Sequence, residues 1–548
     1  MRYCLFLIIL FFVFPLKNSF AQRIPAERPK LIVGIVVDQL RYDYLYRFMD
    51  KYEPNGLRRL MNEGLVCKNA HYDYMFSGAN SGYATISTGA NPSVHGIVSD
   101  EWYVGLSDKT EHCSRDEKYN CVGNNESNEK HSASKLMSST FGDELKLAWY
   151  KQPIVLSVSI DPSASVMLSG HLVDGAYWFD VQTGTFVTSS AYKTTLPAWV
   201  TDFNKKKFAD SYLDKTWTTL LPDSTYVESL ADNNSYERGI RGQITFPYDL
   251  KALSTIAGGK RDYNILRQTP MADNIVKDFA ISAIVNEKMG KDDIPDYLCI
   301  NFCATGAIGK QFGIASREME DACLRLDKEI KHLLDFLDSY VGKGNVLVYF
   351  TAAHGATYPP KLMTDMGMPA GEFNLSLANT LLKSFLNATY GNGNWIKKFS
   401  DHQIYLNESL IQDAKIDIAK FESDVAGFLI QFAGVANVAT ASMLQYSNYV
   451  DGVLAKMQNS YYQKRSGNIV YQLQPGWAET TSNNSSSCTG YSYETHVPLI
   501  FYGWRISRKV VYDKISIADI APTLSLFLNI ALPSGSEGKP AESILKLQ

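Results

Sequence analysis

A short glycine-rich run, FSGANSGY at residues 76–83, has the composition of a turn that brings backbone N–H groups and a hydroxyl close to an anion. The candidate hydroxyls belong to Ser77 and Ser81, which flank Ala79 at the centre of the run. A serine oxygen becomes a nucleophile when a base or a metal ion activates it. The run therefore raises the question of which residue, if any, supplies a reactive oxygen.

Other polar residues follow apolar runs elsewhere in the chain. Asp38 ends KLIVGIVVD at 30–38, and Ala353 and His354 follow NVLVYFT at 345–351. The segment 303–310 follows a third run, DYLCINF, at 296–302. Because functional groups of an α/β sheet collect at the carboxyl ends of its strands, we expect these residues and the turn at 76–83 to lie at one edge.

The elements that position these residues are predicted to be buried strands alternating with helices. Five apolar, β-branched runs are typical of strands covered on both faces: 30–38, 153–160, 296–302, 345–351 and 497–502. Residues 317–341 predict an amphipathic helix, since apolar residues recur at three- and four-residue spacing. Strand, helix and strand in this order indicate a right-handed crossover and an α/β sandwich with helices on both faces of a mostly parallel sheet.

Two stretches break the alternation and are predicted to be cap segments inserted into one domain of residues 22–548. Residues from about 181 to 260 are rich in Thr, Ser, Asp and aromatic side chains. Residues from about 357 to 485 contain a helical portion at 421–432, followed by an Ala- and Val-rich strand pattern.

The first 21 residues are typical of a signal peptide. Arg2 is followed by an apolar run at 4–16 and by Ser19-Phe20-Ala21, which fits a small-x-small cleavage site. The run is short for a membrane span, and no later stretch reaches about 18 uninterrupted apolar residues. We therefore expect an exported protein of the periplasm or cell envelope, without a transmembrane segment after cleavage.

Cysteine usage and charge restrict the classes further. Loss of Cys4 with the signal peptide leaves seven of eight cysteines, so at least one thiol is free or pairs between chains. Cys113 and Cys121 lie in a polar, turn-rich segment and could close a disulfide-bonded loop. The 53 Lys and Arg residues against 57 Asp and Glu include no long basic run, which argues against nucleic-acid binding.

The motifs together resemble the alkaline phosphatase superfamily, specifically the exported monomeric phosphatases of the PafA type and their nucleotide pyrophosphatase relatives. The resemblance runs over nearly the whole mature chain and rests on these segments: GIVVDQLRYDYL, ATISTGANPSVHGIVSDEWY, DGAYWFD, DYLCINFCATGAIGKQFG, VLVYFTAAHG, YETHVPLIFYG and IADIAPTLSLFL. It implies an alkaline-phosphatase-like fold in which two zinc ions, about 4 Å apart, clamp a transferring phosphoryl group. A metal-bound Thr or Ser would be the nucleophile.

Carried over position by position, the resemblance implies that much of this apparatus is replaced. The nucleophile position falls on Ala79, and a phosphate-binding asparagine falls on Asp100. The Lys-x-Arg pair that binds phosphate falls on Asp161 and Ser163. Three metal-ligand positions fall on residues that are not the family's ligands, namely Gly306, Lys310 and Ala353, whereas three keep a ligand, namely Asp38, His354 and His496.

The resemblance therefore predicts a catalytically inactive pseudophosphatase, with no cofactor and only vestigial metal ligands. Asp38 and His354 would be ligands of the zinc ion on the nucleophile side, and His496 would be a ligand of the zinc ion on the leaving-group side. Neither ion would have enough protein ligands to bind tightly. Asp100 and Asp161 place negative charge where a phosphate dianion would bind, at a cost of several kcal/mol. Such a protein would bind or assemble in the envelope, with an unknown envelope protein or a glycan-bearing or phosphorylated ligand as its partner.

Other interpretations remain open. A shifted register near the turn would make Ser77 or Ser81 the nucleophile, and the cap segments could support a different chemistry in the same cleft. The chain could also be an active or residual zinc-dependent phosphoric ester hydrolase. The remaining ligands could be structural, as we expect for His95 and His171. Lys310 is expected to form a salt bridge with Asp38, Asp100 or Asp161 in place of a zinc ion.

Overall fold

The computed structural model describes residues 28–75, 78–150, 152–480, 485–486 and 489–541. The predicted signal peptide at 1–21 and the candidate nucleophile Ser77 lie outside the described residues.

A ten-stranded sheet forms the centre of the fold. Its strands in spatial order are Lys509–Val511, Leu65–Cys67, Leu499–Gly503, Val346–Ala352, Leu31–Val37, Asp296–Phe302, Val155–Ser159, Gly175–Asp180, Thr185–Ser189 and Cys121–Val122. The five strands from Val346–Ala352 to Gly175–Asp180 are parallel. Every residue of Leu31–Val37 is buried, as expected for a strand covered on both faces. The predicted mostly parallel α/β sheet is therefore confirmed.

One predicted strand pairs differently from its neighbours. Leu499–Gly503, the strand of the run 497–502, is antiparallel to Val346–Ala352 and to Leu65–Cys67. The chain enters this strand at the edge where the parallel strands end, since the short helix Ser492–Thr495 hydrogen-bonds to Gly355 and Ala356 there. A buried apolar run does not reveal strand direction, because both directions bury the same side chains.

Helices of six residues or more are Leu57–Glu63, Ala79–Thr88, Phe141–Ala148, Pro162–Ser169, Ala198–Lys205, Phe208–Leu213, Met271–Asn286, Ala304–Phe312, Arg317–Leu337, Pro360–Asp365, Leu375–Tyr390, Glu408–Asp413, Ile418–Leu429, Ala441–Tyr446, Gly452–Ser460 and Ile520–Leu528. The predicted helix at 317–341 begins as expected and ends at Leu337. Ser316 caps it by accepting from the Met319 amide, and Glu318 and Glu320 lie in its first turn, near the positive end of the helix dipole.

The chain between 371 and 480 forms a second sheet beside the main one. Its strands in spatial order are Ile396–Ser400, Gln403–Leu406, Ile469–Leu473 and Val435–Thr440. The helices Leu375–Tyr390 and Ile418–Leu429 pack on it around a separate hydrophobic core. This segment contributes Asp401 to the cavity described below.

Short helices and loops between 198 and 267 cover the other side of the same sheet edge, and we call this segment the first cap. Its anchor is the carboxylate of Asp321, a fully buried residue of the helix Arg317–Leu337. Asp321 accepts hydrogen bonds from Trp217 Nε1 at 2.7 Å, the Leu220 amide at 2.6 Å and the Tyr226 hydroxyl at 2.7 Å. Arg325 Nε, on the same helix, donates to this carboxylate at 2.6 Å, so the acceptor that holds the cap also belongs to an ion pair within the main domain.

Cys113 and Cys121 are both buried free thiols, so the disulfide suggested by their spacing is not formed. Spacing alone places two cysteines near one another without fixing the Cα separation and side-chain direction that a disulfide needs. Within the described ranges, no helix has the length and apolar character required to cross a membrane.

Candidate active site

A cavity of about 530 Å³ opens at the carboxyl ends of the parallel strands. Seven of the positions singled out in the sequence line it: Asp38, Ala79, Asp100, Asp161, Gly306, Lys310 and His354. The sheet brings them together because their segments all follow strands that end at the same edge. These seven residues therefore lie at one edge of the sheet, around the same cavity.

Three other predicted positions do not line the cavity. Ala353 is fully buried at the end of its strand, and Ser163 is buried in the first turn of the helix Pro162–Ser169. His496 is stacked between Tyr42 and His71, with ring centroids 4.1 and 4.5 Å away, and its Nε2 is 3.0 Å from the Lys68 carbonyl oxygen. These ring contacts and this hydrogen bond give His496 a structural role.

The reactive position of the turn carries a methyl group. Ala79 is the first residue of the helix Ala79–Thr88 and lines the cavity without a hydroxyl. Ser81 is fully buried and donates its hydroxyl to the Gly78 carbonyl at 2.9 Å, so it does not face the cavity in the place of Ala79. Gly78 has a φ of 135°, which favours glycine, and a Cβ there would lie 2.4 Å from an Asp100 oxygen.

Asp38 is held rigidly at the end of its strand. Its Oδ1 accepts from the Tyr83 hydroxyl at 2.6 Å and from Asn301 Nδ2 at 2.8 Å, and its backbone carbonyl accepts from Thr305. Burial raises the pKa of the Asp38 carboxyl to about 6. The hydrogen bonds from Tyr83 and Asn301 lower this pKa, but the effect of burial is larger. The side chain is thus a positioned carboxyl group of the cavity wall rather than a helix cap.

The two acids at the phosphate-binding positions have different surroundings. Asp100 accepts from Asn80 Nδ2 at 2.7 Å, and the enclosing protein raises its pKa, partly through the charges of Asp401 and Asp161. Asp161 caps its own helix by accepting from the amides of Ser163 and Ala164, at 2.8 and 3.2 Å. Arg267 lies 3.5 Å from the other oxygen of Asp161, so that charge is partly neutralised.

The ligands of this chain do not fit a pair of zinc ions. Within the described part of the chain, no group of three or more His, Cys, Asp and Glu side chains has metal spacing. Asp38 and His354 line the cavity, but His354 Nδ1 is 2.6 Å from the Gly355 carbonyl oxygen, and burial lowers the pKa of its imidazole to about 4. At the position of Gly306 the Asp38 side chain also leaves no space, since a Cβ on residue 306 would lie 2.8 Å from the Asp38 Cβ.

We therefore expect Gly306→Asp to destabilise the protein rather than to restore a ligand. Overpacking of this kind costs about 1–3 kcal/mol. Urea unfolding of the variant and the wild type measures the loss, and elemental analysis measures zinc per chain. The matched control is Gly427→Asp on the exposed side of the helix Ile418–Leu429, where a Cβ would meet open space. A Gly306 variant as stable as the wild type, with newly bound zinc, would contradict the expectation.

Lys310 acts on the carboxylates at longer range than predicted. It is an exposed residue of the helix Ala304–Phe312, and no ion pair of its ammonium is found within the described ranges. Its charge nevertheless lowers the pKa of Asp38 and of Asp100. The predicted salt bridge is therefore replaced by a weaker, solvent-screened attraction.

The two histidines expected to be structural both have partners. His95 is fully buried, lies 3.1 Å from the Thr85 hydroxyl through Nε2, and accepts from the Ile97 amide through Nδ1. His171 Nδ1 lies 2.8 Å from Asp143 Oδ2, and this carboxylate raises the pKa of His171 against the effect of burial.

Sequence reasoning missed the cationic side of the cavity. Arg238 and Arg267, both from the first cap or its end, line the cavity together with Tyr236. No periodic pattern marks them, because a cap loop reaches the site through tertiary packing alone. Asn80 could have been found, since it lies inside the quoted turn, directly after Ala79.

Comparison with known proteins places this fold and site in a family. Residues 32–496 match the model of the Type I phosphodiesterase / nucleotide pyrophosphatase family. Alkaline phosphatase PafA of Elizabethkingia meningoseptica is 35% identical over 526 residues, covering 94% of this chain and 95% of that protein. Alkaline phosphatase PhoV of Synechococcus elongatus is 34% identical over 521 residues, covering 95% of this chain and 93% of that protein. The chain belongs to the Type I phosphodiesterase / nucleotide pyrophosphatase family.

The structural comparison agrees with this membership. The crystal structure of wild-type PafA superposes with a TM-score of 0.89 over 94% of this chain and 99% of that one, at 35% identity. The predicted alkaline-phosphatase-like fold and the PafA-type resemblance are both confirmed.

The comparisons also overturn two predictions about function. Relatives that match nearly the whole chain are named alkaline phosphatases, so the interpretation as an inactive pseudophosphatase, and hence as a non-enzyme, is wrong. The expectation that no cofactor is involved is wrong for the same reason, because the relatives are named alkaline phosphatases and phosphatases of this kind commonly work with bound metal ions. The prediction of inactivity relied on the number of replaced ligand positions. It gave too little weight to the similarity that extends over nearly the whole chain.

Proposed function

We propose that this chain is a phosphoric ester hydrolase that works in the cavity at the carboxyl edge of the sheet. The observation that carries the proposal is the set of three cationic side chains, Arg238, Arg267 and Lys310, that line this cavity in a chain with the PafA fold. Guanidinium and ammonium groups bind the oxygens of a phosphoryl group and stabilise the charge that develops on them.

The same cavity restricts the chemistry. Ala79 supplies no attacking oxygen, so the nucleophile is either water or another hydroxyl near the cavity. Asp38 and Asp100 bring negative charge, which favours esters with one negative charge on phosphorus over those with two. The ligand we propose is therefore a phosphorylated small molecule or glycan, and the charge pattern of the chain supports no nucleic acid.

We also propose that the protein is exported to the periplasm or cell envelope. The positively charged start, the short apolar run and the small-x-small site within residues 1–21 support this location.

Turnover by the purified protein tests the proposed activity. We expect hydrolysis of bis(4-nitrophenyl) phosphate and 4-nitrophenyl phosphate, measured with and without added zinc, and a loss of about 10-fold or more in kcat/KM for Arg267→Ala. Arg508→Ala is the matched control, since Arg508 is exposed and does not line the cavity. Absence of turnover under every metal condition, or equal turnover in both variants, would show that the cavity does not perform this reaction.

A further inference from the structure

Three carboxamide side chains form a strip along one wall of the cavity, which we call the carboxamide strip. Asn264 begins the short helix Asn264–Arg267 and Gln268 follows its last residue, so the two lie one turn apart on one face, and both line the cavity. Gln311 lines the cavity from the helix Ala304–Phe312, and its Nε2 is 3.4 Å from Gln268 Oε1. The strip therefore continues from one helix to the next.

Guanidinium groups flank the carboxamide strip. Arg267 lies 3.5 Å from Asp161, and the charge of Asp161 raises the pKa of Asp38 at the strand end. Arg267 thus marks the end of the strip that faces the strand ends. Arg238 lies at the other side, because its backbone amide donates to the Gln311 carbonyl at 2.8 Å and its side chain lines the cavity.

The three carboxamide groups have hydrogen-bonding capacity that the protein does not use. Among the described residues, their one hydrogen bond is the contact between Gln268 and Gln311, which at 3.4 Å is long. Asn264 is exposed, and Gln268 and Gln311 are partly exposed. Their N–H donors and carbonyl acceptors are therefore open to a ligand that enters the cavity.

The chemistry of the strip selects hydroxyl groups. A carboxamide both donates and accepts hydrogen bonds, and so does a hydroxyl. An ammonium group would be repelled by the guanidinium groups of Arg238 and Arg267. An alkyl group would cover the carboxamides and leave them without hydrogen-bond partners, at a cost in free energy. A ligand with several hydroxyl groups satisfies the carboxamides and also accepts from the guanidinium N–H groups.

We propose that the substrate is a phosphate diester of a polyol, that is, of a sugar or cyclitol, and that the carboxamide strip binds the polyol. This inference rests on the proposed hydrolase function and names the substrate class of the same cavity. The phosphoryl group lies against Arg267, near the strand ends. The polyol extends from there along Gln268 and Gln311 towards Arg238.

Discrimination between substrates tests the assignment. The probes are four 4-nitrophenyl phosphate diesters whose second alcohol is myo-inositol, glucose through its 6-hydroxyl, thymidine through its 5′-hydroxyl, or methanol. All four share the leaving group and one negative charge on phosphorus, so the ratio of their kcat/KM values reports on the second alcohol alone. We expect at least one polyol diester to exceed the methyl diester in kcat/KM by about 10-fold or more, as two or three hydrogen bonds would give.

A substitution in the strip locates the effect. Gln268→Met keeps the length of the side chain and removes its carboxamide. We expect this variant to lower the kcat/KM ratio of the preferred polyol diester to the methyl diester by about 5-fold or more. Gln412→Met is the matched control, since Gln412 is an exposed residue of the helix Glu408–Asp413 and does not line the cavity. Circular dichroism establishes that both variants are folded.

The outcomes separate this inference from the hydrolase function. Equal kcat/KM values for the polyol and methyl diesters, or a thymidine diester as the best substrate, would overturn the polyol assignment and leave the hydrolase function standing. A ratio that is the same in Gln268→Met as in the wild type would also overturn it. Absence of turnover of all four diesters under every metal condition would overturn both.

Discussion

Replacing Asp321 by alanine is expected to lower the free energy of unfolding by about 4 kcal/mol, because it leaves two buried side-chain donors, one backbone amide and a partly buried guanidinium without their acceptor. Asp321 is fully buried and accepts from Trp217, Leu220, Tyr226 and Arg325. Guanidinium unfolding measures the loss, and the expected first event is detachment of the first cap. Limited proteolysis should therefore cut within 198–267 before it cuts the main domain.

The cap also carries function, so the same variant has a second expected effect. Arg238 and Arg267 reach the cavity only while the cap is seated on the helix Arg317–Leu337. We expect Asp321→Ala to lower kcat/KM under conditions in which the main domain remains folded. Asp335→Ala on the same helix is the control, since Asp335 is 46% exposed and its partner Arg59 keeps an ion pair with Asp338. A loss below about 1 kcal/mol for Asp321→Ala would contradict the anchoring role.

Stability is expected to fall as the pH rises from about 5 to about 9, and Glu237→Gln is expected to remove much of that fall. Burial raises the pKa of Glu237 to about 9 and that of Glu318 to about 7. A carboxyl group whose pKa is higher in the folded than in the unfolded protein favours the folded state at low pH. That contribution is lost as the pH rises through the folded-state pKa.

The structural cause is a pair of incompletely satisfied carboxyl groups under the first cap. Oε2 of Glu237 and Oε2 of Glu318 are buried without a hydrogen-bond partner among the described residues, although Tyr248 donates to Glu318 Oε1 at 2.6 Å. The charge of Glu318 raises the pKa of Glu237, as does that of Asp232, whereas the charge of Arg317 lowers it. Ionisation of both carboxyl groups therefore places like charges together in a poorly solvated site.

The measurement is urea unfolding of wild type and Glu237→Gln across this pH range. Near pH 9 we expect the free energy of unfolding of the variant to exceed that of the wild type by about 2 kcal/mol. Near pH 5 we expect the two free energies of unfolding to be nearly equal. Glu372→Gln is the control, because Glu372 is exposed and bears no buried charge. Parallel pH profiles for the wild type and Glu237→Gln would refute the explanation. Since Glu237 lies between the cavity residues Tyr236 and Arg238, substrate binding is expected to weaken over the same pH range.

Much of the fold follows from local patterns that the sequence displays. The runs at 30–38, 296–302 and 345–351 predict parallel buried strands, and the structure contains them as Leu31–Val37, Asp296–Phe302 and Val346–Ala352. Burial on both faces leaves a continuous apolar run, which is readable without any knowledge of the partner strands. The direction of Leu499–Gly503 was not readable, because it depends on where the preceding segment brings the chain back to the sheet.

The sequence by itself determined which chemical groups this protein has at the strand ends: a methyl group at Ala79, carboxylates at Asp38, Asp100 and Asp161, and no side chain at Gly306. Only the tertiary structure decided what those groups meet. Asp161 caps its own helix and pairs with Arg267, and Ser163 joins Ser114, His131 and Glu129. Side chains far apart in the chain meet through the packing of the cap and loops, which no local periodicity encodes.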